Sequence, residues 1–213
     1  MHVAVLADDT LKKEFLSKNI PQNIRLTFAD SLRSLEIIEA DAYFDLSGDL
    51  DRERMKKWSL FQGRILIVNA VPLTRHEIKI PVIRINAWPT FLSRPLIEIA
   101  VTAEGQGKYA DKVFHSLQWT YQVVPDIAGF IGARMVAAII NEAYFTLGDQ
   151  VSSKEDIDIA MKLGTNYPYG PFEWSEKIGL RRVAELLQQL ALSDKLYRPA
   201  PAMELELWAA RSK

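Results

Sequence analysis

The chain has 213 residues, 48% of them hydrophobic, enough to build a core for one large domain or two small ones. Lys and Arg number 26 against 27 Asp and Glu, a net charge of -1, which excludes an overall electrostatic footprint for nucleic acid or an anionic membrane surface. Cysteine is absent, so disulfides, thiolate nucleophiles and thiolate metal sites are excluded as well.

The apolar segment Met1 to Ala7 is too short for a signal core or a membrane span, and the expected compartment is the cytoplasm. From there to about residue 125, short apolar runs rich in β-branched and aromatic residues alternate with charged stretches, the pattern of βαβ units around a parallel sheet. The runs are Val3 to Ala7, Ile24 to Phe28, Tyr43 to Leu46, Ile65 to Val68, Val82 to Ile85 and Leu96 to Val101. Leu11, Phe15 and Leu16 recur at helical spacing after the first run, and Leu32, Leu35, Ile37 and Ile38 after the second, which suits crossover helices. A complete βαβ unit commonly takes roughly 30 residues or more. Successive runs lie closer than that here, so a reduced sheet is expected.

Beyond residue 125 the periodicity becomes helical. Phe130, Ile131, Met135, Ala138, Ile139, Ala143 and Leu147 mark an amphipathic helix that Gly148 is placed to end. Ser152 with Glu155 reads as a capping box for a second helix, which carries Ile157, Ala160, Met161 and Leu163 and stops at Gly164. In Tyr167-Pro168-Tyr169-Gly170-Pro171-Phe172 the prolines and glycine force a turn, with Pro171 suited to the first turn of the next helix. Leu180, Val183, Leu186, Leu187 and Leu190 stripe a last long helix, and a tail with Met203, Leu205, Leu207 and Trp208 either packs back or meets a partner. The expected domains are 1–125 and 126–213.

Asp126-Ile127-Ala128-Gly129-Phe130-Ile131-Gly132-Ala133-Arg134 resembles the Asp-x-Pro-Gly-Phe-Ile-x-Asn-Arg signature that opens the C-terminal domain of 3-hydroxyacyl-CoA dehydrogenases. It is followed at family-like spacing by Asn141-Glu142-Ala143, Asp156-Ile157-Asp158, Ala160-Met161, Gly164, Pro168, Gly170-Pro171-Phe172, Ile178-Gly179-Leu180, Tyr197-Arg198-Pro199 and Pro201. The first half resembles the family's nucleotide-binding domain through the order of its elements: Val3 to Ala7, Ala40-Asp41-Ala42, and Asn69 after Ile65 to Val68. The resemblance implies a reduced Rossmann-like parallel sheet (α/β) followed by an all-α dimerisation domain. It further implies NAD on the first, and a homodimer and an acyl-CoA ligand through the second.

Residue by residue, the chemistry departs from that pattern. A dinucleotide site needs glycines after the first strand so that backbone N–H groups reach the pyrophosphate. This chain has Ala7-Asp8-Asp9-Thr10 there, with Asp9 read as an N-cap, so no cofactor is expected in the standard mode and NAD rests on the resemblance alone. Asp30 stands where a ribose-binding acid would, or else caps the helix at Leu32. The family's catalytic histidine motif, His-Phe-Phe-Asn-Pro, falls on Ile83-Arg84-Ile85-Asn86-Ala87, its substrate-binding serine on Val71 and its asparagine on Ala133. Glu98 matches the family's catalytic glutamate, with three residues inserted between Asn86 and it.

Arg84 either binds a phosphate or carboxylate or makes a surface salt bridge from an edge strand. Arg134, Asn141 and Glu142 either line a cleft or form a polar network that fixes the helices against the Gly170-Pro171-Phe172 turn. His2, His76 and His115 read as surface residues without the spacing of metal or triad partners. Three functions fit: a relative that has lost hydride transfer but keeps a cleft for an acyl-CoA, an active NAD-dependent oxidoreductase with a divergent site, and a non-catalytic partner of an acyl-CoA enzyme.

Overall fold

The structure, a computed structural model, describes residues 1–47 and 52–211. The chain divides into two compact units, Met1–Phe130 and Ile131–Lys213. The boundary thus lies beyond the expected residue 125. Asp126 to Phe130 stay with the first unit because they are tied into it: the Gly129 N–H donates to the Val71 carbonyl at 2.8 Å, and Arg84 holds Asp126 and the Ile127 carbonyl.

In the first unit the strands are β1 (His2–Leu6), β2 (Arg25–Ala29), β3 (Ala42–Asp45), β4 (Leu66–Val68), β5 (Ile83–Ile85), β6 (Leu96–Val101) and β7 (Thr120–Val123). Between them run α1 (Asp9–Leu16), α2 (Leu32–Ile37), α3 (Arg52–Lys57) leading into a tight turn at Trp58–Phe61, α4 (Arg75–Ile78) and α5 (Gly107–Ser116). All form one sheet in the order β2-β1-β3-β4-β5-β6-β7. The first five are parallel, β6 runs antiparallel to β5, and β7 is parallel to β6.

The reversal at β6 has a local cause. Parallel neighbours need a crossover helix, whereas β5 and β6 are joined by turns over residues 86–95 that send the chain straight back. Strand β7 had no clear sequence signal, since Thr120 to Val123 lies at the sheet's edge and is largely exposed. Each buried strand places alternate residues on opposite faces. Val3 and Val5 pack with Leu11 and Phe15 of α1 and Val113 and Phe114 of α5. Ala4 and Leu6 pack with Leu35 of α2, Ile78 of α4 and the Trp58–Phe61 turn. Because the chain leaves β1 for β2 on one side and returns to β3 on the other, the direction of winding switches at the C-terminal ends of β1 and β3, the place where such sheets bind ligands.

The second unit is helical among its described residues: α6 (Gly132–Gly148), α7 (Lys154–Thr165), α8 (Pro171–Ile178), α9 (Leu180–Ala191) and α10 (Pro201–Arg211). Pro171 opens α8 as expected. The cap of α7 is Ser153, not Ser152, and accepts from the Asp156 N–H; the helix ends one residue past Gly164 at Thr165, with Asn166 left-handed. Val183, Leu186, Leu187 and Leu190 form the buried stripe of α9. The tail packs back as α10 through Met203, while Leu205 and Trp208 stay exposed. No helix among the described residues is long and apolar enough to cross a membrane.

Candidate functional site

At the winding switch, the first turn after β1 is closed by its own side chain. Asp8, not Asp9, is the N-cap of α1, and its Oδ1 accepts from the Leu11 N–H at 2.8 Å. A carboxylate therefore occupies the helix N-terminus where an anionic ligand would otherwise find free amides. Beside it, a crevice of about 370 Å³ is lined by Leu6, Asp30, Ser31, Leu32, Ser47, Arg54 and Lys57. Asp30 is not the cap of α2; Ser31 is, in a reciprocal arrangement with Ser34. This leaves Asp30 exposed at the end of β2, on the crevice wall. Below it, Asp45 at the end of β3 is buried and accepts from Trp58 Nε1 at 2.7 Å, Arg54 Nε at 3.0 Å and the Ser47 hydroxyl at 2.7 Å. This cluster had no sequence signal beyond an acid ending an apolar run.

Arg84 is neither on an edge strand nor open to a ligand. Strand β5 lies between β4 and β6, and Arg84 is 0% exposed. Its guanidinium donates to the carbonyls of Ala70 (3.2 and 3.1 Å), Val71 (3.1 Å) and Ile127 (3.3 Å), pairs with Asp126, and stacks 4.6 Å from the Phe130 ring. Burial lowers its pKa, and Asp126 works against that. The planar fork is committed to fastening residues 126–130 to the sheet, which corrects both sequence readings of this arginine. Val71 is buried as well and contributes only its carbonyl.

The most informative contact lies just past β5. Asn86 is 2% exposed and its Nδ2 donates to Glu98 Oε2 at 2.8 Å. The contact bears on the register of the family motif. Matching asparagine to asparagine put Ile83 at the family's histidine position and required three extra residues before Glu98. A register shifted by three would place Asn86 there without the insertion, and Asn86 is the residue that touches Glu98. Ile83 is a buried core residue on β5. Because a carboxylate only accepts, the bond to Glu98 also fixes the amide's orientation, and Asn86 Oδ1 is left buried with no protein partner among the described residues. Neighbouring Asn69 holds the chain here by donating to the Ala87 carbonyl at 3.1 Å and accepting from the Ala87 N–H at 3.2 Å.

In the helical unit, Ala133 is fully buried and its side chain offers no polar atom. Asn141 is buried too, its Nδ2 donating to the Arg198 carbonyl at 2.9 Å and its Oδ1 accepting from the Ala200 N–H at 2.8 Å. Arg134 donates from Nε to the Tyr197 hydroxyl at 3.0 Å. These two residues secure the segment between α9 and α10 rather than the Gly170 turn. That turn is held by Asp158, whose carboxylate accepts from Phe172 N at 2.8 Å and Glu173 N at 3.1 Å. Glu142 lies on the exposed face of α6.

Residues 129–210 match the family described as 3-hydroxyacyl-CoA dehydrogenase, C-terminal domain. The chain carries a C-terminal domain of the 3-hydroxyacyl-CoA dehydrogenase family. It is similar to 3-hydroxyadipyl-CoA dehydrogenase of Escherichia coli K12, 39% identical over 109 residues, which is 49% of this chain and 23% of that protein. It is likewise similar to 3-hydroxybutyryl-CoA dehydrogenase of Bradyrhizobium diazoefficiens, 42% identical over 83 residues, 38% of this chain and 28% of that protein. These matches thus span less than a third of each relative's length. A crystal structure of (S)-3-hydroxybutyryl-CoA dehydrogenase from Ralstonia eutropha superposes with a TM-score of 0.72 at 18% identity, over 98% of this chain and 94% of that one, a likeness of fold. The order of a mostly parallel sheet followed by helices is thus that of the family.

Proposed function

We propose that this chain is a family relative that binds an acyl-CoA or a similar acid without carrying out hydride transfer. The observation that carries this reading is the Asn86–Glu98 contact. A carboxamide neither takes up nor releases a proton near neutral pH, so the position lacks the group that would accept a hydroxyl proton as hydride departs. Asp8 supports the same reading, since a carboxylate that caps α1 opposes a pyrophosphate at the same amides. An NAD-dependent reading retains one specific observation in its favour, Asp30 on the crevice wall at the end of β2.

A second part of the proposal is a homodimer through the helical unit. Ile131, Met135, Ala138, Glu142 and Phe145 follow one another at spacings of three or four along α6, and the large apolar ones among them are exposed, Met135 by 59%.

Calorimetric titration of the whole chain with NADH and with acetoacetyl-CoA tests the ligand assignment. Binding of acetoacetyl-CoA with no oxidation of NADH is the expected result. Tight NADH binding with turnover would overturn it in favour of the dehydrogenase, and binding of neither ligand would leave the role of a docking partner for an acyl-CoA enzyme.

A further inference from the structure

A second cleft, of about 450 Å³, opens on the edge of the sheet opposite the crevice at Asp30. It lies where β4 and β5 begin and antiparallel β6 ends, and its walls include Phe61, Arg64, Lys79, Ile83, Glu104 and Tyr109. The volume falls within the range of small-molecule sites, and the mixture of an apolar floor with a few charged groups is their usual composition. Phe61 and Ile83 are buried and supply that floor.

The two cations are both exposed on the cleft wall. Arg64 donates from Nη1 to the Glu36 carbonyl at 2.6 Å, and its guanidinium sits 5.4 Å from the Tyr43 ring and 5.9 Å from the Phe61 ring. One N–H and one face are used, which orients the fork and leaves its other donors for a ligand. Lys79 ends α4 in the left-handed conformation, φ 58° and ψ 5°. Glycine or asparagine is the usual occupant of such a cap, and a lysine there carries backbone strain. Among the described residues no carboxylate pairs with Arg64 or Lys79. Lys79 is exposed, so its ammonium is available at the cleft wall.

We propose that this cleft binds a small organic anion, an aromatic or aliphatic body bearing one carboxylate or phosphate, with the acid between Arg64 and Lys79 and the body against Phe61 and Ile83. Glu104 is the one carboxylate among the lining residues, and its charge opposes that of an anionic ligand. The site shares none of Asp8, Asp30, Asn86 or Glu98, so it stands or falls independently of the acyl-CoA reading.

The test is titration of the isotope-labelled whole chain with benzoate, phenyl phosphate, inorganic phosphate and neutral benzyl alcohol at low salt, followed by backbone amide shifts. Benzoate or phenyl phosphate is expected to saturate the amides around Arg64, Lys79 and Ile83, with inorganic phosphate at least about tenfold weaker and benzyl alcohol without effect. Which acid binds tighter identifies a carboxylate or a phosphate as the preferred ligand. Lys79→Gly relieves the left-handed strain, so it is expected to melt no lower than the parent while binding at least about tenfold more weakly. Glu104→Gln is expected to tighten binding. The proposal is overturned if neither organic anion saturates, if benzyl alcohol binds as well as they do, or if Lys79→Gly binds like the parent.

Discussion

Arg84 shows how far one side chain can be from the role its sequence suggests. A cationic residue beside the family's motif invites a ligand, yet its donors are spent on three carbonyls and Asp126 inside the first unit. Lysine keeps the charge but has a single point of attachment and no planar fork, so the Ala70, Val71 and Ile127 carbonyls lose partners and Asp126 is poorly matched. Arg84→Lys is therefore expected to destabilise the first unit by about 2 to 4 kcal/mol, measured by urea unfolding, with the slope unchanged. A loss below about 0.5 kcal/mol would contradict the role of Arg84 as a fastening. The sequence named this residue but not its partners, because the pairing with Asp126 bridges two segments that are remote in the chain. Asn86 illustrates a related point. Letters in a motif can be matched in more than one register, and the proposed function rests on the one that the contact with Glu98 favours.

At the scale of elements, the helical half was the more legible one, because Pro171 and the apolar stripe of α9 act locally through backbone restriction and periodicity. What periodicity did not reveal was how the start of α8 is held. Asp158 reaches from α7 to accept from the first amides of α8, and Gly170 fits beneath it with no room for a Cβ, which would lie 2.3 Å from the Asp158 carboxyl carbon. Glu173 completes the cap: it pairs with Lys162 and accepts from the Gly170 N–H at 3.0 Å. The Lys162 ammonium first, and the Gly170 amide second, hold its carboxyl below the usual glutamate range. With the folded pKa depressed, the contribution of Glu173 is complete above the unfolded value of about 4.3 and is lost as pH falls through the lower folded value. Glu173→Gln is thus expected to flatten the acid side of the stability profile below about pH 4.5 and to leave its alkaline side unchanged, as read by thermal melts across pH. An unaltered acid limb would exclude the cap as a contributor.

The whole molecule joins a sheet that has kept its winding order to a helical unit that has kept its sequence, and the two preserve different things. Buried strands of the first unit tolerate any apolar residue that fits; the reduced sheet was legible from its runs, while the antiparallel β6 and the exposed β7 were not. The family match over 129–210 covers most of the second unit, and the large apolar residues Met135 and Phe145 of α6 are exposed, which calls for an explanation. Association supplies one. An apolar stripe along α6 is costly to leave in water and is stabilised when a second copy covers it. The expected outcome is a dimer in sedimentation velocity at micromolar concentration, with Met135→Glu shifting the population to monomer, because a charge buried in a self-complementary interface meets its own copy. Ile37→Glu, which adds the same charge at an exposed position on α2 of the first unit, is expected to leave the dimer intact. A parent chain that sediments as a monomer, or a dimer indifferent to Met135→Glu, would place the interface elsewhere or remove it, and the exposed face of α6 would then be the surface offered to a different protein.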